Sequence, residues 1–165
     1  MKIRVLIMWG VALLALGATN ILIIQKERLL SAPQSILLEL APRDPRSLVH
    51  GDYMALRYAL TRNLPSQGLP VDGYLVAAAG PDRVARFVRM YGRQIPLAPG
   101  EVLLRYRVRG GTIHVGSESF FFQEGQAALY ADARYAELRV DSSGESLLVG
   151  LRGPNREPLG SRTQP

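Results

Sequence analysis

The chain contains no cysteine, and its only two lysines, Lys2 and Lys26, lie near the amino terminus. The lack of cysteine excludes disulfides, zinc-thiolate centres, a lipidated cysteine and thiol catalysis. The lack of lysine beyond Lys26 excludes a lysine general base from the rest of the sequence. Aromatic residues make up only 7% of the chain and do not interleave with basic ones, so a net charge of +6 does not predict a nucleic-acid partner.

Motifs typical of several enzyme classes are also missing. The sequence has no Gly-x-Ser-x-Gly elbow and no glycine-rich segment with phosphate-loop spacing. Its two histidines are too few for a zinc site unless carboxylates complete it, as the pairs His50 with Asp52 and His114 with Glu118 would. We therefore predict no catalytic residue, no metal ion and no cofactor.

Charge is absent from Val5 to Ile24, and this run is apolar on every side. At 1.5 Å per residue its 20 residues span about 30 Å, which is the thickness of the hydrocarbon core of a bilayer. The alternative is a secretory signal cleaved before Ala18, but the run exceeds the roughly 7 to 15 apolar residues of such signals. We predict a retained single transmembrane anchor within residues 1–28, spanning about 5–24.

The charges flanking this run give little indication of its orientation. Lys2 and Arg4 on one side face Lys26 and Arg28 on the other, so the positive-inside rule is nearly balanced. A short amino-terminal tail before a long following segment is typical of an uncleaved signal anchor. We therefore expect the amino terminus inside the bacterial inner membrane and the carboxy-terminal domain outside the cytoplasm.

Beyond the anchor, alternation of apolar and polar residues predicts a β-rich domain over residues 29–152. Gly-Pro and Gly-Gly turns separate several of the strands, and an alanine-rich run, Gln126 to Glu137, predicts one short helix. The predicted strands cover residues 35–40, 51–60, 73–79, 83–90, 101–109, 112–115, 138–140 and 146–151. The fold class is α+β, mostly antiparallel, preceded by a transmembrane helix, and residues 153–165 are predicted to be a disordered tail.

Two surface features stand out within the predicted strands. Arg105, Arg107 and Arg109 share one face of a strand and form a basic stripe, which could be a solvated face or could meet anionic lipid headgroups or an acidic partner. Because side chains alternate along a strand, the run 120–122 of three phenylalanines is expected to place two rings in the core and one at the surface.

The segment 51–58, with the sequence GDYMALRY, resembles the signature of the GDYXXLXY family of bacterial membrane-anchored proteins. Every specified position is met, at Gly51, Asp52, Tyr53, Leu56 and Tyr58. Similar segments at 38–46, 98–102 and 124–125 extend the resemblance over most of residues 1–151. It implies a family without an established activity, whose members occur beside or fused to polytopic membrane proteins. From the residues themselves, the motif is interpreted as a structural corner, or alternatively as a ligand or partner site.

The sequence thus favours a membrane-anchored accessory or interaction domain of a membrane assembly, with a polytopic membrane protein as the expected partner. One alternative is a lipid- or ligand-binding envelope domain. Another is an envelope hydrolase, since the segment 45–52 is loosely similar to one of membrane-bound signal peptidases, which use a serine nucleophile and a lysine base. The missing lysine opposes that reading; a triad of His50 or His114 with Ser47, Ser117 or Ser119 and a carboxylate stays open.

Overall fold

A computed structural model describes residues 2–30, 34–41, 53–65, 68–92 and 94–160. Within them lie one α-helix and nine strands, joined by turns and by two short 3-10 helices, Ala59–Asn63 and Ala127–Tyr130. In chain order the elements are α1 (Lys2–Leu30), β1 (Gln34–Glu39), β2 (Tyr53–Ala55), β3 (Asp72–Ala79), β4 (Ala85–Met90), β5 (Glu101–Arg109), β6 (Thr112–Val115), β7 (Ser119–Phe121), β8 (Tyr135–Val140) and β9 (Ser146–Arg152).

The strands form two sheets and a two-stranded ribbon, and every pairing between named strands is antiparallel. One sheet has the order β1-β8-β9, the larger has the order β4-β3-β5-β6, and β2 pairs with β7 in the ribbon. The turn between β5 and β6 consists of Gly110 and Gly111, which both have positive φ, as a tight hairpin turn requires. The antiparallel β class predicted from the sequence is confirmed.

A shared hydrophobic core lies beneath these sheets, and the period-two pattern of the sequence produces it. On β5, Val102, Leu104 and Tyr106 are buried, while the intervening residues stay partly or fully exposed. On β8 the buried positions are Ala136, Leu138 and Val140. Side chains alternate across a strand, so each sheet turns one apolar face inward and one polar face outward.

The helix predicted over Gln126–Glu137 is wrong. This run forms only a single 3-10 turn, Ala127–Tyr130, and its last three residues begin β8. Its Tyr130 ring is buried against Phe120 and Phe122, with centroids 4.9 and 5.5 Å away. Pairing of β8 with β1 and β9 on its two sides gains more than the helical preference of alanine provides.

The disorder predicted from Gly153 onward is wrong for residues 153–160. A turn folds this segment back: the Gly153 amide donates to the Glu157 carbonyl and the Arg156 amide donates to the Gly153 carbonyl, both at 2.9 Å. The Leu159 amide donates to the Leu151 carbonyl at 3.0 Å. Leu159 packs against the core, and this contact explains the order of a segment rich in polar residues. Residues 161–165 lie outside the described part of the chain.

The α1 helix runs without a break from Lys2 to Leu30. Among the residues whose structure is described, no helix is both long and apolar enough to cross a membrane. The large apolar side chains described on α1 are nevertheless all exposed, from 58% at Ile21 to 75% at Leu14.

The carboxylate of Glu137, on the central strand β8, links the two outer strands of the three-stranded sheet. Glu137 on β8 accepts hydrogen bonds from Arg152 on β9, the shortest at 2.5 Å, and from the Ser35 hydroxyl on β1 at 2.8 Å. Burial by itself would raise the pKa of Glu137, but the bonds from Arg152 and Ser35 outweigh burial, so the pKa lies below its ordinary value of 4.5.

Replacing Glu137 with glutamine is expected to reduce the free energy of unfolding at pH 7 by about 1–3 kcal/mol, since hydrogen bonds to a charged group are lost. Glu137 binds its proton less readily when folded than when unfolded, so its contribution is present above pH 4.5 and declines as the pH falls through the lower folded pKa. Urea unfolding at pH 7 and pH 3 should therefore show the gap between wild type and Glu137→Gln narrowing in acid. An equal gap at both pH values would contradict this.

Candidate functional site

The motif segment crosses between the two-stranded ribbon and the three-stranded sheet. Only 53–55 form regular strand, β2, but the predicted alternation is confirmed beyond it: Met54, Leu56 and Tyr58 are buried, whereas Tyr53 and Arg57 are exposed. The predicted strand 51–60 ends early because a 3-10 helix begins at Ala59. Gly51 and Asp52 lie outside the described residues, as do Ser47 and His50.

Tyr58 holds this segment in place through both its backbone and its side chain. Its backbone forms an antiparallel bridge with Leu40 beside β1, and its hydroxyl donates to the Ser117 carbonyl at 2.7 Å. Ser117 can approach because the preceding residue, Gly116, has a φ of +62°, and a Cβ there would lie 2.8 Å from the Leu138 side chain. Tyr58 thus fastens the motif to the β6–β7 connection, as a structural corner would.

Tyr53, the other described tyrosine of the signature, faces the surface instead. It is 41% exposed and packs against Phe121 of β7, which is 74% exposed, with ring centroids 5.8 Å apart. Phe120 and Phe122 pack against the core, so the expected division of the three phenylalanines is confirmed. The ribbon therefore carries an exposed aromatic pair, Tyr53 on β2, the strand of the signature, and Phe121 opposite it on β7.

The predicted basic stripe does lie on the outer face of β5, but its three members are not equivalent. Arg105 binds Glu145 at 2.6 Å and lies 3.6 Å from Asp72, and the bond to Glu145 raises its pKa. Arg109 lies 3.7 Å from Glu118. Arg107 is exposed and makes no ion pair with any residue that the structure describes.

Two neighbouring clefts share His114 and Glu118, whose Nδ1 and Oε2 atoms are 3.2 Å apart. The smaller, of about 180 Å³, is the arginine cleft: its lining includes Arg105, Arg107 and Arg109, with Glu145 and Ser146 from the β8–β9 hairpin. The larger, of about 490 Å³, is lined by residues 55–58 of the motif and by β6. The fold thus brings the motif and the basic stripe to opposite sides of one His-Glu pair, which no local sequence pattern indicated.

The described residues do not assemble a catalytic group around this pair. The Ser117 hydroxyl donates to the Ser119 carbonyl at 2.9 Å, and the His114 ring lies against Glu118. No group of three or more histidine or acidic side chains close enough to hold a metal ion occurs in the described ranges. What the clefts do offer is positive charge, with five arginines (57, 62, 105, 107 and 109) against two glutamates (118 and 145).

The chain is thus an antiparallel β domain that follows a long amino-terminal helix. Tyr58 of the signature segment connects the ribbon of this domain to its three-stranded sheet. The chain belongs to the GDYXXLXY protein family, whose model matches residues 15–151. No curated protein and no solved structure matches it. The family match covers both clefts and the exposed aromatic pair.

Proposed function

We propose that this protein is a membrane-anchored accessory domain that binds another component of a membrane assembly. The observation that carries the proposal is the surface of α1: all eight large apolar side chains described there, which are not confined to one side of the helix, are at least 58% exposed. Exposing these side chains to water is unfavourable, whereas the hydrocarbon core of a bilayer would bury them. The uncharged run Val5 to Ile24 is long enough to span that core.

The proposed location is the bacterial inner membrane, with a single span and the β domain outside the cytoplasm. The flanking charges are nearly balanced, so this orientation rests on the layout of a short tail before a long domain. A dual reporter fused after Pro165 tests it: alkaline phosphatase activity is the expected result, and fluorescence of a cytoplasmic reporter would reverse the orientation.

The exposed aromatic pair is the proposed contact with the partner. Tyrosine and phenylalanine are enriched at protein interfaces, where a few central side chains contribute most of the affinity and the surrounding rim mainly excludes water. Tyr53 and Phe121 lie opposite each other on the two strands of the ribbon, and their exposed rings pack against each other at an interplanar angle of 39°.

Site-specific photo-cross-linking in native membranes tests this contact. A benzoylphenylalanine at Phe121 should yield one dominant cross-link to a polytopic membrane protein, and the Tyr53→Ala change should weaken it. The same probe at Val149 on β9, which is 43% exposed, is the matched control and should give no such product. Identical products from both positions, or none from Phe121, would overturn the proposed contact.

A further inference from the structure

The arginine cleft lies close to the point at which the chain leaves α1. Only three residues separate Leu30 from Gln34, so the end of the helix lies within about 14 Å of the start of β1. Gln34 pairs with Val140, and Val140 pairs on its other side with Ser146, which lines the cleft. Two strand spacings place Ser146 about 10 Å from Gln34.

The hairpin turn that follows Val140 connects this edge directly to β5. The Arg105 amide donates to the Gly144 carbonyl at 2.9 Å, and the Arg105 side chain binds Glu145 at 2.6 Å. The cleft is therefore held rigidly at the end of the domain that faces the helix. If α1 enters a bilayer, this end of the domain lies at the headgroup layer.

The charges of the cleft fit an anion. Three arginines line it against two glutamates, Glu118 and Glu145, and these glutamates are engaged by Arg109 and Arg105. Arg107 keeps a guanidinium without an ion pair among the described residues; its neighbours across the sheet are Asp72 on β3, whose carboxylate lies toward Arg105, and His114 on β6. The planar fork of arginine can donate two parallel hydrogen bonds to a phosphate group.

We propose that the arginine cleft binds the phosphate of an anionic phospholipid headgroup, with Arg107 as the main contact, and so fixes the β domain against the bilayer. This proposal rests on the membrane anchor of the proposed function, which places the cleft at the headgroup layer. It adds a specific ligand class, since an apolar helix by itself would not distinguish anionic from zwitterionic lipids.

The test uses the full chain in uncharged detergent and native mass spectrometry during titration with three probes: dihexanoyl phosphatidylglycerol, dihexanoyl phosphatidylcholine and inorganic phosphate. Phosphatidylglycerol should bind above the level that phosphatidylcholine sets for lipids held by the helix. The Arg107→Gln variant should bind it about five-fold more weakly, as expected for one basic residue at an anionic surface. Arg107→Lys, which keeps the charge but not the fork, should lie between the two.

Arg134→Gln is the matched control, because Arg134 is also exposed but precedes β8 at the end of the sheet remote from Val140. Its affinity should equal that of the wild type, and all variants should have unchanged melting temperatures. Equal binding of the two lipids, or equal affinity of Arg107→Gln and wild type, would overturn the proposal. Binding of inorganic phosphate as tight as that of phosphatidylglycerol would make this a soluble-anion site and overturn the lipid assignment.

Failure of the cleft and failure of the anchor are distinguishable. A chain that stays in washed membranes but shows no preference for phosphatidylglycerol removes the cleft proposal alone. A chain that leaves the membrane on washing removes the anchor, whatever its affinity for phosphate.

Discussion

Replacing Tyr58 with alanine is expected to lower the free energy of unfolding by about 3–5 kcal/mol, as for other large aromatic residues removed from a core. Its side chain is only 3% exposed, and its hydroxyl satisfies the Ser117 carbonyl at 2.7 Å. The change would leave both a cavity and a carbonyl without this donor, at the junction of the motif with the β6–β7 connection. A domain of this size has about 5–15 kcal/mol in total, so much of its stability would be lost.

Two further variants separate the components of this effect. Tyr58→Phe keeps the ring and should cost only about 1–2 kcal/mol, the value of one buried hydrogen bond. Tyr53→Ala changes the exposed tyrosine of the same signature and should cost less than about 1 kcal/mol, because its side chain is 41% exposed and its ring packs against the exposed ring of Phe121. Urea unfolding of the full chain in uncharged detergent, followed by circular dichroism, gives these values. A Tyr58→Ala variant as stable as Tyr53→Ala would show that the motif is not a structural corner.

Placing two arginines at the centre of the apolar run, by Leu14→Arg with Ala15→Arg, is expected to remove the protein from the membrane. Each arginine at the middle of a spanning helix costs about 2.5–3.5 kcal/mol on insertion scales, and the pair would cancel the gain from the leucine, isoleucine and valine residues around it. Leu14 is 75% exposed on α1 and makes no contribution to the core of the β domain. The folded domain should therefore survive in the aqueous fraction.

The control for this experiment keeps the positions and changes the chemistry. Leu14→Ile with Ala15→Val preserves an uncharged apolar run and should leave the protein in the membrane pellet after fractionation. The folded state of the arginine variant is checked by protease resistance of residues beyond 34. If the arginine variant stays in the pellet as fully as the control, α1 does not hold the protein through burial in lipid.

The sequence predicted most strands because their pattern is local. Alternation along β5 and the Gly110-Gly111 turn place β5 and β6 within a residue of their observed bounds, and β3 and β4 follow the same logic. The alanine-rich run 126–137 failed because its local preference competes with distant partners. Tyr130 finds Phe120 and Phe122, and β8 is held between β1, about 100 residues earlier, and β9.

The candidate sites could not be predicted from local patterns, because they too are formed by residues that are distant in the sequence. The signature and the arginine stripe are visible in the sequence, yet they are some 50 residues apart, and only the return of β6 beside β5 brings both to His114 and Glu118. Alternation along β5 cannot show that Arg105 and Arg109 have carboxylate partners while Arg107 has none among the described residues, because those partners come from the β8–β9 turn and from the β6–β7 connection. The exposure of Phe121 was predictable, since it follows from alternation within 120–122.

The proposed membrane anchor is tested most directly by the intact mass of the full-length chain recovered from alkaline-washed membranes. The expected result is a chain that remains in the pellet and whose mass includes residues 5–24. A mature chain that begins near Ala18 and is found in the wash would contradict the anchor, and with it the position assigned to the arginine cleft.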